Sequence, residues 1–227
     1  FIATVLKSEL ESVLLSKNSV DTHDMGPVSA GKRALNNTCL GYLLELKNQE
    51  IFELCLQQLN DSRNMTDEIA ALSGLSNFDC PQRITGINRF YTKWKSEELV
   101  LDKWFVTQAL SRLPDTINQV KSLLNHVDFN LKNPNKVRSL IGAFCHGNHH
   151  LFHSTDGSGY AFCAEQVIKI DSINPQIAAR LARAFDPWRR AEGTTRQHAK
   201  TALESIRDSR ALSNDTFEIV NRALDDS

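Results

Sequence analysis

The chain has 227 residues, a formal net charge of −1 at pH 7, 41% hydrophobic and 23% charged residues. This is the composition of an ordinary soluble globular chain, with enough apolar residues for one large core or an elongated repeat array. Near-zero charge gives no drive toward nucleic acid or an anionic membrane, no apolar run approaches membrane-spanning length, and no signal peptide is visible. The chain begins at Phe1 and not Met, so it reads as trimmed from something longer.

Helical periodicity runs almost throughout, with almost no strand alternation. It predicts helices at about 2–17, 27–47, 49–60, 66–77, 81–95, 97–110, 114–126, 134–145, 159–172, 175–185, 194–209 and 215–224. Gly, Pro, Asn or Asp marks the breaks. Short turns between such segments imply antiparallel helix pairs, and many pairs in a row imply an all-α solenoid, or superhelix, of HEAT or armadillo type. The segments share no clear consensus, so no repeat period is read. No internal domain boundary is visible, so residues 1–227 read as one domain.

Four Asn-x-Ser/Thr triplets occur, at Asn36, Asn60, Asn64 and Asn214. Helix starts explain two of them better than glycosylation does: Thr66 before Asp67 and Glu68 reads as an N-cap, and Asp215 with Glu218 as a capping box. Cys39, Cys55, Cys80, Cys145 and Cys163 form no paired motif and read as reduced thiols in a cytoplasmic protein, most of them in the core. Trp94, Trp104 and Trp188 sit in apolar stripes and read as core, not as a stacking surface.

The most informative block is Asn133-Pro134-Asn135-Lys136-Val137-Arg138-Ser139-Leu140-Ile141-Gly142-Ala143-Phe144. An asparagine caps, Pro134 pre-sets the first turn, and Val137, Leu140, Ile141 and Phe144 make one buried stripe with Arg138 beside it. Asp156-Gly157-Ser158-Gly159-Tyr160 follows as a tight loop opening another helix. Between them Cys145 to Gly159 is the longest non-periodic stretch of the second half, of a length that is often functional or mobile. It carries His146, His149, His150 and His153 at i, i+3, i+4, i+7, which resembles a metal site on one helical face. Gly147-Asn148 breaks that helix and no Cys or carboxylate lies among the histidines, so exposed titratable imidazoles are the preferred reading and no metal is assigned. Further on, Ile177, Leu181 and Phe185 form a buried face, while Gln176 and Arg180, four apart, point the same way.

These two blocks resemble the C-terminal domain of the bacterial aminopeptidase N family, the zinc metallo-aminopeptidases called alanyl aminopeptidases. Further agreement lies in Asn64-Met65-Thr66-Asp67 with Ala70-Ala71-Leu72-Ser73, in Leu99-Val100-Leu101-Asp102-Lys103-Trp104-Phe105, in Ser172 to Arg180, and in Leu212-Ser213-Asn214-Asp215. The resemblance covers nearly the whole chain, most weakly its first thirty or so residues. It implies a parent enzyme that removes N-terminal residues, preferably Ala and other neutral or basic ones, with one zinc ion. That chemistry needs a His-Glu-x-x-His helix, which this sequence does not contain. The resemblance therefore implies a domain without a cofactor of its own, inactive alone, partnered by the catalytic domain of the same polypeptide. It also implies that Arg138, Gln176 and Arg180 face the substrate from a wall of the catalytic chamber. Arginine suits that position because it stays charged and grips a carboxylate in two-pronged fashion. The His-rich loop departs from the loop expected in this family. From composition and periodicity alone, a free-standing scaffold binding a protein or peptide on a concave face fits as well, and a metal-binding His loop is a third, weaker reading.

Overall fold

The computed structural model describes residues 1–16 and 26–225, which contain helices and turns and no strand. The described residues divide into two compact units, 1–107 and 108–227. The dividing point falls inside a helix, where the sequence shows no linker.

The first unit comprises α1 (Ile2–Val5), α2 (Lys7–Leu15), α3 (Pro27–Leu44), α4 (Gln49–Asp61), α5 (Met65–Leu75), α6 (Pro81–Trp94) and most of α7 (Glu98–Ala109). The helix expected over 2–17 is interrupted at Leu6, which leaves helical geometry, and residue 17 lies outside the described residues. α4 packs on α5 and α6, and α5 also packs on α3, around Leu43, Leu44, Cys55, Leu72, Leu75 and Phe90. The cap of α5 is Asn64 and not Thr66: the Asn64 side chain accepts from the Asp67 amide at 2.9 Å and donates back to the Asp67 carboxylate at 2.8 Å. One carboxylate is sunk in this unit. Glu68 is 2% exposed, and its oxygens accept from Lys93 Nζ and from the Trp94 indole at 2.8 Å. A buried charge stays buried only when paired in this way. Trp94 is thus a half-buried partner of that charge, whereas Trp104 and Trp188 are core residues.

The second unit contains α8 (Thr116–Leu123), α9 (Pro134–Val137), a π-turn (Arg138–Gly142), α10 (Ala143–Gly147), α11 (His149–Phe152), α12 (Ser158–Asp171), α13 (Pro175–Ala182), α14 (Gly193–Arg207) and α15 (Asn214–Asp225), with short 3-10 turns after α13. α12 packs against α13 and α14, and α15 closes on both of those. Asp171 at the end of α12 is 4% exposed and holds the start of α15, accepting from Ser213 N at 2.7 Å, Ser213 Oγ at 2.6 Å and the Thr216 hydroxyl. The cap of α15 is therefore Ser213, whose oxygen receives the Thr216 amide, and not an Asp215–Glu218 box. The aromatic rings of Phe144, Phe152, Tyr160, Phe162 and Phe185 fill the interior.

All five cysteines are buried free thiols. Burial pushes Cys55 up to about 12, and burial followed by the neighbouring Cys163 holds Cys145 well above the usual thiol range. Such thiols are inert, since the thiolate is the reactive form.

Candidate functional site

The predicted stripe is buried throughout: Val137 is 2% exposed and Leu140, Ile141 and Phe144 are fully enclosed. What the sequence does not announce is the π-turn across Arg138–Gly142, closed by the Ala143 amide bonding to the Arg138 carbonyl. In an α-helix, residues four apart drift by about 40° per step. A π-turn takes more residues per turn and so absorbs part of that drift. Arg138, Gly142 and His146, each four apart, consequently border one opening.

Asn133 caps α9 by accepting from the Asn135 amide at 2.9 Å. The guanidinium of Arg138 lies back along the same short helix, Nε donating to the Pro134 carbonyl at 3.1 Å and one terminal nitrogen to Asn135 Oδ1 at 3.0 Å. Of the five N–H donors of an arginine, this leaves others for a ligand. Across the opening stands α13, begun by Asn174, whose side chain accepts from the Ile177 amide at 3.2 Å. This cap sets the rotation of the helix, so that Ala178 and Leu181 are buried while Gln176 and Arg180 are exposed.

The two elements enclose a pocket of about 230 Å³ lined by Val137, Arg138, Gly142, His146, Gln176, Ile177, Arg180 and Leu181. All three residues expected at a substrate wall line this one space. Its floor is aliphatic and its rim carries two guanidiniums, an amide and an imidazole. A pocket of this kind can take a small anionic or carbonyl-rich group, paired donors around it and no carboxylate against it.

His146 is the lining residue that sequence reasoning did not select. Its ring is held below the ordinary imidazole range, first by partial burial and then by the Arg180 charge, with Asp186 and a hydrogen bond to the Arg180 backbone pulling the other way. It lies eight residues after Arg138, a spacing that an unbroken α-helix would carry away from the arginine's face and that the π-turn brings back. It was also obscured because His146 belongs to the histidine run. The remaining histidines of the run go elsewhere. His149 and His150 are exposed, and His153 Nδ1 meets the Tyr160 hydroxyl at 2.7 Å. Among the described residues no group of three or more His, Cys, Asp or Glu is arranged to hold a metal ion.

The segment expected as a loop from Cys145 to Gly159 is built around Asn148, which is 5% exposed. Its amide donates to the Ala109 and Ser111 carbonyls at 3.0 and 2.8 Å, and its oxygen receives the Leu151 amide that starts α11. A buried asparagine with both ends satisfied fixes this turn in place.

Helix pairs packed around aliphatic and aromatic cores, with a small basic pocket on the second unit, define a helical-repeat domain. The chain belongs to the family described as domain of unknown function (DUF3458_C), ARM repeats, matched over residues 1–225, the C-terminal helical domain of aminopeptidase N. It is 35% identical over 223 residues to aminopeptidase N of Escherichia coli K12, an alignment that covers 98% of this chain and 26% of that protein. Aminopeptidase N of Caulobacter vibrioides is 36% identical over 196 residues, or 86% of this chain and 23% of the relative. Among solved structures, that of Legionella pneumophila aminopeptidase A in complex with aspartic acid superposes with a TM-score of 0.90 at 32% identity, covering 99% of this chain and 27% of that one. The chain thus spans about a quarter of the length of the relatives it matches. No helix among the described residues is long and apolar enough to cross a membrane.

Proposed function

We propose that residues 1–227 are a single C-terminal domain of a cytoplasmic zinc aminopeptidase, which walls the catalytic chamber and takes part in holding short peptides. The parent removes N-terminal residues from peptides. Its zinc belongs to the catalytic domain, as the resemblance implies, since the His-Glu-x-x-His helix this chemistry needs is not in this sequence. Arg138, Gln176 and Arg180 form the part of the wall that meets the substrate beyond the scissile bond.

The observation that carries this reading is the convergence of those three side chains, from α9 with its π-turn and from α13, on one pocket of about 230 Å³. The pocket accepts a peptide terminus and is too small for a folded protein. The aminopeptidase names of the relatives support the activity, and the buried thiols fit a reducing compartment.

The test is made in the full-length parent. A charge-assisted hydrogen bond contributes about 1.5–3 kcal/mol. Arg138→Ala and Arg180→Ala are therefore each expected to lower kcat/KM for tripeptides about ten- to a hundredfold. Aminoacyl anilides, which have no C-terminal carboxylate, are expected to suffer less. Wild-type turnover of tripeptides by both variants would remove the chamber-wall role. The rival reading, a scaffold with no catalytic partner, is decided by the gene: a His-Glu-x-x-His motif encoded upstream in the same reading frame excludes it.

A further inference from the structure

The pocket holds one titratable side chain that the role above leaves unused. His146 lines the same space as Arg138, Gln176 and Arg180. The Arg180 guanidinium and the imidazole beside it present a carboxylate with a forked donor and, when the ring is protonated, a second charged donor.

We propose that His146 is a specificity residue of this pocket, gripping the C-terminal carboxylate of a short peptide together with Arg180 and tightening that grip as the pH falls. The inference rests on the chamber-wall reading and deepens it. The charged and titratable groups around the ring are Arg180 from α13, His149 from α11, Asp186 beyond the 3-10 turn, and Arg138 two turns earlier on the same helical run. Asp186 is engaged with Arg183, 3.7 Å from its Nε. Partial burial, and after it the nearby positive charge of Arg180, disfavour the imidazolium in the empty pocket. A bound carboxylate offsets that charge and accepts from the ring, which raises the proton affinity of His146 in the complex. By linkage, the carboxylate then binds more tightly as the ring gains its proton. The peptide carboxylate itself, with a pKa of about 3.5, stays ionised over the range concerned.

The experiment uses the intact parent enzyme and compares trialanine as the free acid with its C-terminal amide, from about pH 7.5 to about pH 5.5 across the imidazole range. The ratio of the two kcat/KM values cancels titration of the zinc site and of the substrate amine. In the wild type the preference for the free acid is expected to rise about two- to fivefold toward the lower pH, as an ion pair open to solvent allows. In His146→Gln it is expected to stay level. A level ratio in the wild type, or the same rise in His146→Gln, overturns the role of His146. Arg180→Ala separates the chamber-wall reading from this proposal. If it leaves the free-acid preference intact at every pH, the chamber-wall reading falls and this proposal with it. If it abolishes the preference while His146→Gln retains the rise, the proposal alone falls.

Discussion

Two of the sequence blocks that carry the resemblance to the aminopeptidase family do opposite work in the structure. The Asn133–Phe144 block turns an exposed arginine and a glycine toward a pocket. The Asp156–Tyr160 block is a packing joint. Gly157 there has φ 73°, and Gly159 lies so close to α11 that a Cβ would run into the Phe152 carbonyl oxygen and come within 2.7 Å of the Phe152 Cα. The Tyr160 ring behind it is fully buried between Phe152, at 5.1 Å, and Phe185, at 5.8 Å. A distinctive motif therefore marks a place where substitution is costly, without saying whether the cost falls on folding or on a ligand. Only the surroundings decide that.

The largest expected effect comes from Gly159→Ala. The obstruction is backbone, which cannot swing aside as a flexible side chain would, so α11 and α12 must part. A loss of more than about 4 kcal/mol is expected, the range of severe core disruption. Urea unfolding of the 227-residue chain measures it, and a change below about 1 kcal/mol would mean that the joint is not tight.

Tyr160→Phe removes only the hydroxyl that meets His153 Nδ1 at 2.7 Å and leaves the ring packing in place. About 1 kcal/mol is the expected cost, with an unpaired ring nitrogen left in a half-buried position. On the pocket side, Arg138→Ala and Arg180→Ala are expected to change the unfolding free energy by less than about 0.5 kcal/mol, because both side chains are exposed. If the arginine variants destabilise as much as Tyr160→Phe, the contrast between the two blocks disappears, and the arginines are structural partners.

Most of the fold was legible because its signals are local. Val137, Leu140, Ile141 and Phe144 follow helical spacing and are buried as that spacing requires, as are Leu181 and Phe185, whereas Ile177, expected on the same buried face, is only half-buried and lines the pocket. The caps were legible in kind but displaced by position. Asn64 and Ser213 take the ends that Thr66 and Asp215 were expected to take, because several cap-forming residues stand side by side and only the tertiary partners choose among them. The π-turn was not legible, since nothing in Arg-Ser-Leu-Ile-Gly distinguishes a widened turn from an ordinary one. With it went His146, whose place at the pocket depends on that widening. Asn148 was hidden for a related reason: its partners, Ala109 and Ser111, lie nearly forty residues earlier.

The smallest predicted effect is a pH dependence on the packing side. His153 is held below the ordinary imidazole range, mainly by burial and next by His149, whose ring stacks parallel to it at 6.1 Å. A histidine whose folded-state proton affinity is depressed adds stability that is fully present above the unfolded value of about 6.5 and is lost as the pH falls through the lower, folded value. Acidifying from about pH 7.5 to about pH 5.5 is therefore expected to lower the stability of the chain. His153→Gln removes the titrating ring yet retains a side chain that can reach Tyr160, so its stability is expected to depend less on pH over the same interval. Chemical unfolding of both chains at several pH values gives the comparison. Parallel curves would mean that the depressed proton affinity of His153 does not contribute, and that the Tyr160 hydroxyl is held equally well by either protonation state.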